Sequence, residues 1–232
     1  GAYTSLEYCD ENELDALNNN VTSLETAVLI SNKLDIPLLF ISTAGIFDGL
    51  KNEYDDWDTP GPLGVYARSK VLAEDYISKN ANKYYVMRAG WMMGGGPKKD
   101  IKFVGKILRQ IKNGKNILNI VNDKDGTPTY THDFVNVAFN LINSGRYGIY
   151  NCVCEGLTSR LEVAKEIIKI LNLENTVKIN EVNSDFFKKE YFSKRPRSER
   201  LLNKKLEILK LNDMRDWKIS LKEYIKNYFT NY

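Results

Sequence analysis

Tyr66-Ala-Arg-Ser-Lys70 puts a phenol and an ammonium four residues apart, on one face if the segment is helical. Ser42-Thr43 closes the apolar run Pro37-Leu-Leu-Phe-Ile-Ser-Thr43, which reads as a strand, and Thr43 precedes Tyr66 by 23 residues. A hydroxyl at a strand end, a tyrosine and a lysine can together interconvert a carbonyl and an alcohol. The phenol is the acid or base for the proton. The ammonium lowers the phenol's pKa and can hold a cofactor ribose, while the Thr43 hydroxyl polarises the substrate oxygen. This is nicotinamide-dependent oxidoreductase chemistry. No glycine-rich phosphate loop stands near the start of the sequence.

The elements that must position these groups follow from apolar periodicity. Val21, Leu24, Ala27, Val28 and Leu34 form the stripe of a helix beginning at Asn20 and ended by Pro37. A buried strand at 38–41, a long loop at 44–63 and a helix over about 65–79 come next. Strands at 84–87, 117–121, 148–154 and 177–182 alternate with helices at 101–112, 133–143 and 159–171, and an amphipathic helix closes the chain at 221–229. Residues 1–4 read as the tail of a strand, and the acidic stretch from Asp10 to Asp15 shows little period. Such alternation predicts an α/β fold, a parallel sheet with helices on both faces.

Composition narrows the class. The 232 residues are 43% hydrophobic and 27% charged, with a net charge of +3, too small to argue for nucleic acid. No run approaches the roughly 20 apolar residues of a membrane span, and no secretory signal opens the chain, so no membrane partner and a cytoplasmic location are expected. Basic residues gather from Lys188 to Lys205, either as a solvated face or as part of an anion site. Cys152 and Cys154 fall on one face of a strand; with Cys9 they are expected to be reduced and buried. With His132 the only histidine, a zinc site is not expected.

Further residues fit around the trio. Ile46-Phe-Asp-Gly49 follows Thr43, and Pro62, Arg68, Ser69 and Glu74 surround Tyr66 and Lys70. Arg88-Ala-Gly-Trp91, the turn Asp123-Lys-Asp-Gly-Thr-Pro-Thr129 with Asp133, Arg195-Pro196, and Met214 with Trp217 follow in order. Across nearly its whole length the chain resembles the extended short-chain dehydrogenase/reductases, and within them the dTDP-4-dehydrorhamnose reductase family. The resemblance implies a Rossmann-like doubly wound sheet (residues 1–91 and 132–155) and a smaller α/β substrate lobe (92–131 and 156–232). It implies reduction of a 4-keto sugar nucleotide for polysaccharide precursors by NADPH or NADH, with Thr43, Tyr66 and Lys70 catalytic. Ala2, Tyr3, Thr4, Asn20, Ser42, Ala89 and Gly90 would join Tyr66 and Lys70 at the cofactor, and Thr43, Trp91 and Arg195 would meet the substrate. It also admits a homodimer, and Mg²⁺, for which no ligand cluster is apparent.

Individual positions keep second readings. Trp91 can be core packing, Asn20 a helix N-cap rather than a support for the lysine, and Gly94 to Gly96 a turn needing positive φ or a phosphate cradle. His132 reads as structural. Against the family pattern the sheet is expected to be N-terminally incomplete, lacking two strand–helix–strand units and the phosphate loop they carry. Ala44-Gly45 stands where the family has Asp-Tyr, which removes a polar partner for the sugar and the acidic group a dehydratase needs. A non-catalytic sugar-nucleotide-binding or regulatory subunit and a nucleotide-sugar epimerase are the alternatives.

Overall fold

A computed structural model describes residues 2–229. Helices α1 (Leu6–Glu11) and α2 (Glu13–Leu17) run through a π turn (Asn18–Thr22) into α3 (Ser23–Leu34). Strand β1 (Leu38–Thr43) and α4 (Val65–Asn80) precede β2 (Tyr84–Ala89), β3 (Trp91–Met93), α5 (Gly96–Lys99) and α6 (Phe103–Lys112). Then come β4 (Ile117–Val121), β5 (Asp125–Gly126), β6 (Pro128–Tyr130), α7 (Thr131–Ser144), β7 (Gly148–Asn151) and β8 (Thr158–Ser159). Helix α8 (Arg160–Ile170), β9 (Lys178–Val182), β10 (Ser198–Glu199), α9 (Lys204–Leu209) and α10 (Trp217–Tyr228) complete the order.

The acidic stretch without visible period is helical. Its apolar side is carried by two small residues, Cys9 in α1 and Ala16 in α2, too little to register as a stripe. Residues 2–4 form no strand; hydrogen bonds from Asn20 hold the backbone of Tyr3 instead. Asn20 does not open a helix but sits in the π turn, a placement that hydrophobic spacing does not encode.

The main sheet has the parallel order β1-β2-β7, with Leu38 beside Tyr84 through to Thr43 beside Ala89. Alternation along β2 builds two layers. Val86 packs with Leu24 and Val28 of α3 and Ala73 and Ile77 of α4. Tyr85, Met87 and Ala89 face Phe134, Val137 and Leu141 of α7. That second core runs on without a break into Leu118, Ile167, Trp217 and Leu221, beneath the small sheets β4-β9, β3-β6 and β10-β5-β8. Among the described residues β1 is a margin of the main sheet, and its Ile41 is half-exposed.

Candidate active site

The parallel β1–α4–β2 unit brings the start of α4 over the C-terminal end of β1, where ligands bind in open α/β sheets. Gly64, the α4 N-cap, has no side chain to satisfy the first amides. Asp10 of α1 does so from outside: its Oδ1 accepts the Val65 N–H at 2.9 Å, adding negative charge at the positive end of the helix. Arg68 on the next turn pairs with Glu13 of α2 at 3.0 Å. The acidic N-terminal helices therefore fix the helix that carries Tyr66 and Lys70.

Thr43 ends β1 in extended conformation, and its Oγ1 accepts the Gly45 N–H at 3.2 Å as the chain enters a short 3₁₀ turn. The Thr43 hydroxyl acts on the Tyr66 phenol as a hydrogen-bond partner that favours the phenolate. Burial outweighs it and, with Cys9 and Glu199 nearby, pushes the phenol up to about 12. Tyr66 is a protonated phenol at neutral pH.

Lys70 lies one turn further along α4 and is buried. Burial pulls its ammonium down to about 8, against an upward pull from Glu74. Its Nζ donates to the Ile41 carbonyl at 2.6 Å and lies 3.8 Å from the centre of the Phe40 ring. Sharing a helical face does not fix where a long side chain ends, and the marginal strand offers a free carbonyl.

The other expected residues divide. Asn20, buried, clasps Tyr3 through both backbone groups (2.8 and 3.1 Å) and donates to Ser69 Oγ at 3.0 Å, which in turn donates to the Tyr66 carbonyl. That joins the 2–4 segment to the helix, with Ala2 exposed and Thr4 Oγ1 meeting Lys102 at 3.4 Å. Ser42 is buried, and its Oγ meets no hydrogen-bond partner among the described residues. Ala89 is core; Gly90 donates its N–H to Thr129 Oγ1 at 2.9 Å, and a Cβ there would lie 2.0 Å from the Thr127 carbonyl oxygen. Arg195 is bound to Glu7 at 2.6 Å and to the Ser193 carbonyl, so its charge is already countered.

Gly95 and Gly96 have positive φ but face Lys99 and Tyr228, so this glycine run is a packing turn and not a phosphate cradle. His132 stacks on Tyr130 and meets the Tyr228 hydroxyl at 3.0 Å. All three cysteines are free and buried. Among the described residues no group of three acidic, His or Cys side chains could hold a metal, so Mg²⁺ finds no ligand set. None of the described helices is long and apolar enough to cross a membrane.

Two residues that sequence reasoning missed border the site. Glu199 Oε2 accepts the Trp91 Nε1–H at 2.7 Å. Arg160 lies 4.5 Å over the Trp91 ring and 4.7 Å over Phe103. The Trp91 ring is thus held in place by polar partners. Neither partner carries a motif, and each comes from a distant part of the chain.

Comparison with known proteins agrees with this architecture. A dTDP-4-dehydrorhamnose reductase of Mycobacterium tuberculosis is 29% identical over 174 residues, covering 72% of this chain and 56% of that protein. The chain thus spans little more than half the length of that relative. The solved dTDP-4-dehydrorhamnose reductase of Yersinia enterocolitica superposes with a TM-score of 0.91 at 31% identity, covering 98% of this chain and 79% of its own. That of Bacillus anthracis, solved in complex with NADP, gives 0.90 at 26%, covering 97% and 78%. The family model described as "RmlD substrate binding domain" matches residues 1–230, and the chain belongs to that family.

Proposed function

We propose that the protein reduces the ketone of a 4-keto sugar nucleotide of the dTDP-4-dehydrorhamnose type, using NADPH or NADH. The observation that carries this reading is the placement of Thr43 at the C-terminal end of β1 and Tyr66 on the first turn of α4, close enough for the threonine hydroxyl to act on the phenol. In this reading the ketone oxygen sits between the two hydroxyls. Thr43 donates a hydrogen bond to it, and Tyr66 delivers its proton as negative charge develops there. A bound nicotinamide supplies the hydride.

The donor set fits a nicotinamide ribose in part. Tyr66, Lys70 and the Asn20–Tyr3 clasp are the residues we assign to it, with Lys70 leaving the Ile41 carbonyl to reach a ribose hydroxyl. No strand–glycine turn–helix that could receive a pyrophosphate is found among the described residues. NADP is supported by the complex of the Bacillus anthracis relative. We further infer that residues 1–91 and 132–155 serve the cofactor and residues 92–131 and 156–232 the sugar nucleotide. Ala44-Gly45 carries no acid for dehydration, which favours reduction or epimerisation over dehydration. Incubation with dTDP-4-dehydrorhamnose and NADPH tests the proposal: loss of absorbance at the nicotinamide band in step with alcohol formation is expected. Saturable sugar-nucleotide binding with no NADPH consumed would instead identify a binding subunit.

A further inference from the structure

Gly45 leaves an opening beside Thr43, and a carboxylate from the far end of the chain fills it. The point where a Cβ on Gly45 would lie is 3.1 Å from Glu199 Oε1 and 3.5 Å from Thr43 Oγ1. The acid and the Thr43 hydroxyl therefore approach the same spot from two sides. Glu199 is only partly buried, and it bears on the Tyr66 phenol through its charge.

Its other oxygen is already engaged. Oε2 accepts the Trp91 indole N–H at 2.7 Å, and Trp91 is itself wedged tightly: a Cβ on Gly126 would lie 2.3 Å from the ring, while Arg160 covers it at 4.5 Å. Arg160 makes no ion pair with Glu199 among the described residues, although the two charges sense each other. Oε1 accepts no hydrogen bond among the described residues. Anchoring an indole N–H needs one neutral acceptor, for which a glutamine would serve. A charged carboxylate with a spare oxygen beside two hydroxyl donors fits a ligand that presents a donor of its own.

We propose that Glu199 is a substrate-binding residue of this site, accepting a hydrogen bond from the sugar hydroxyl on the carbon next to the ketone. This rests on the reductase reading above. With the ketone oxygen between Thr43 and Tyr66, the neighbouring hydroxyl is the group that falls toward Oε1. Glu199 thereby takes the place of the polar partner missing at Ala44-Gly45, from a different strand, and selects keto sugars with a free hydroxyl beside the carbonyl.

The test is calorimetric binding to the protein without reductant, using dTDP-4-dehydrorhamnose, its analogue lacking the hydroxyl beside the ketone, and dTDP alone. Glu199→Gln is expected to bind the keto sugar about tenfold or more weakly, the loss typical of a charge-assisted hydrogen bond. Its affinity for dTDP should match that of the unsubstituted protein, and the deoxy analogue should bind both proteins equally. Equal keto-sugar affinity in the two proteins overturns the proposal. So does a parallel loss of dTDP binding, which would mean that Glu199 acts only through Trp91. If the unsubstituted protein binds no sugar nucleotide, the reductase reading fails together with this one, whereas equal tight binding removes only the role of Glu199.

Discussion

Lys70 offers a prediction in which stability and function pull in opposite directions. Its amine, ordinarily near 10.5, is drawn down to about 8 by burial in the folded protein. Between these values the unfolded chain binds a proton that the folded chain does not, so stability rises as pH climbs from about 8 to about 10.5. Below about 8 both states are protonated and the folded state bears the full cost of a buried ammonium. At about 1.4 kcal/mol per pH unit this cost is on the order of 3 kcal/mol, net of the upward pull of Glu74. Lys70→Met keeps the stem and removes the charge. Urea unfolding of both proteins from pH 7 to 10.5 isolates the effect, because the other titrating groups, tyrosines included, are common to both. The difference should favour the methionine variant by roughly 3 kcal/mol at pH 7 and shrink steadily above pH 8. The variant should also lose reductase activity. A difference that does not change with pH would refute the account of a penalised, buried ammonium.

Three other outcomes follow from contacts in the structure. Gly90→Ala drives a methyl into the Thr127 carbonyl and should cost about 1–3 kcal/mol in denaturant unfolding. Arg88→Met strands the buried carboxylate of Glu74, its partner at 2.8 Å, and should cost roughly 3–5 kcal/mol. Adding Glu74→Leu to that variant should recover most of the loss, since an apolar pair leaves no charge unpaired. Asp10→Ala removes the acceptor at the start of α4 and should lower stability by about 1 kcal/mol; thermal melts of the single variant measure it.

Much of this arrangement could be read from the sequence because it is local. The apolar runs of β1 and β2, the spacing of α4 and the order of its tyrosine and lysine depend on near neighbours. They emerge with ends shifted by a few residues, as where β1 extends to Thr43 and β7 stops at Asn151. What was missed depends on contacts between distant segments. The N-terminal helices bury little more than Cys9 and Ala16, so their worth lies in Asp10 and Glu13 reaching α4. The pairing of Arg195 with Glu7 and the bond from Lys70 to the Ile41 carbonyl likewise join segments far apart in sequence. Glu199 carries no local signal at all; only the fold sets it beside Gly45.

Turnover of Tyr66→Phe tests the central claim most directly. The substitution removes one hydroxyl from a partly buried ring, and circular dichroism will verify that the fold persists. Keto-sugar reduction by NADPH should fall by about 10²–10⁴-fold, the usual worth of a positioned proton donor, with dTDP still bound. Turnover within a few-fold of the unsubstituted protein would mean that some other group protonates the oxygen.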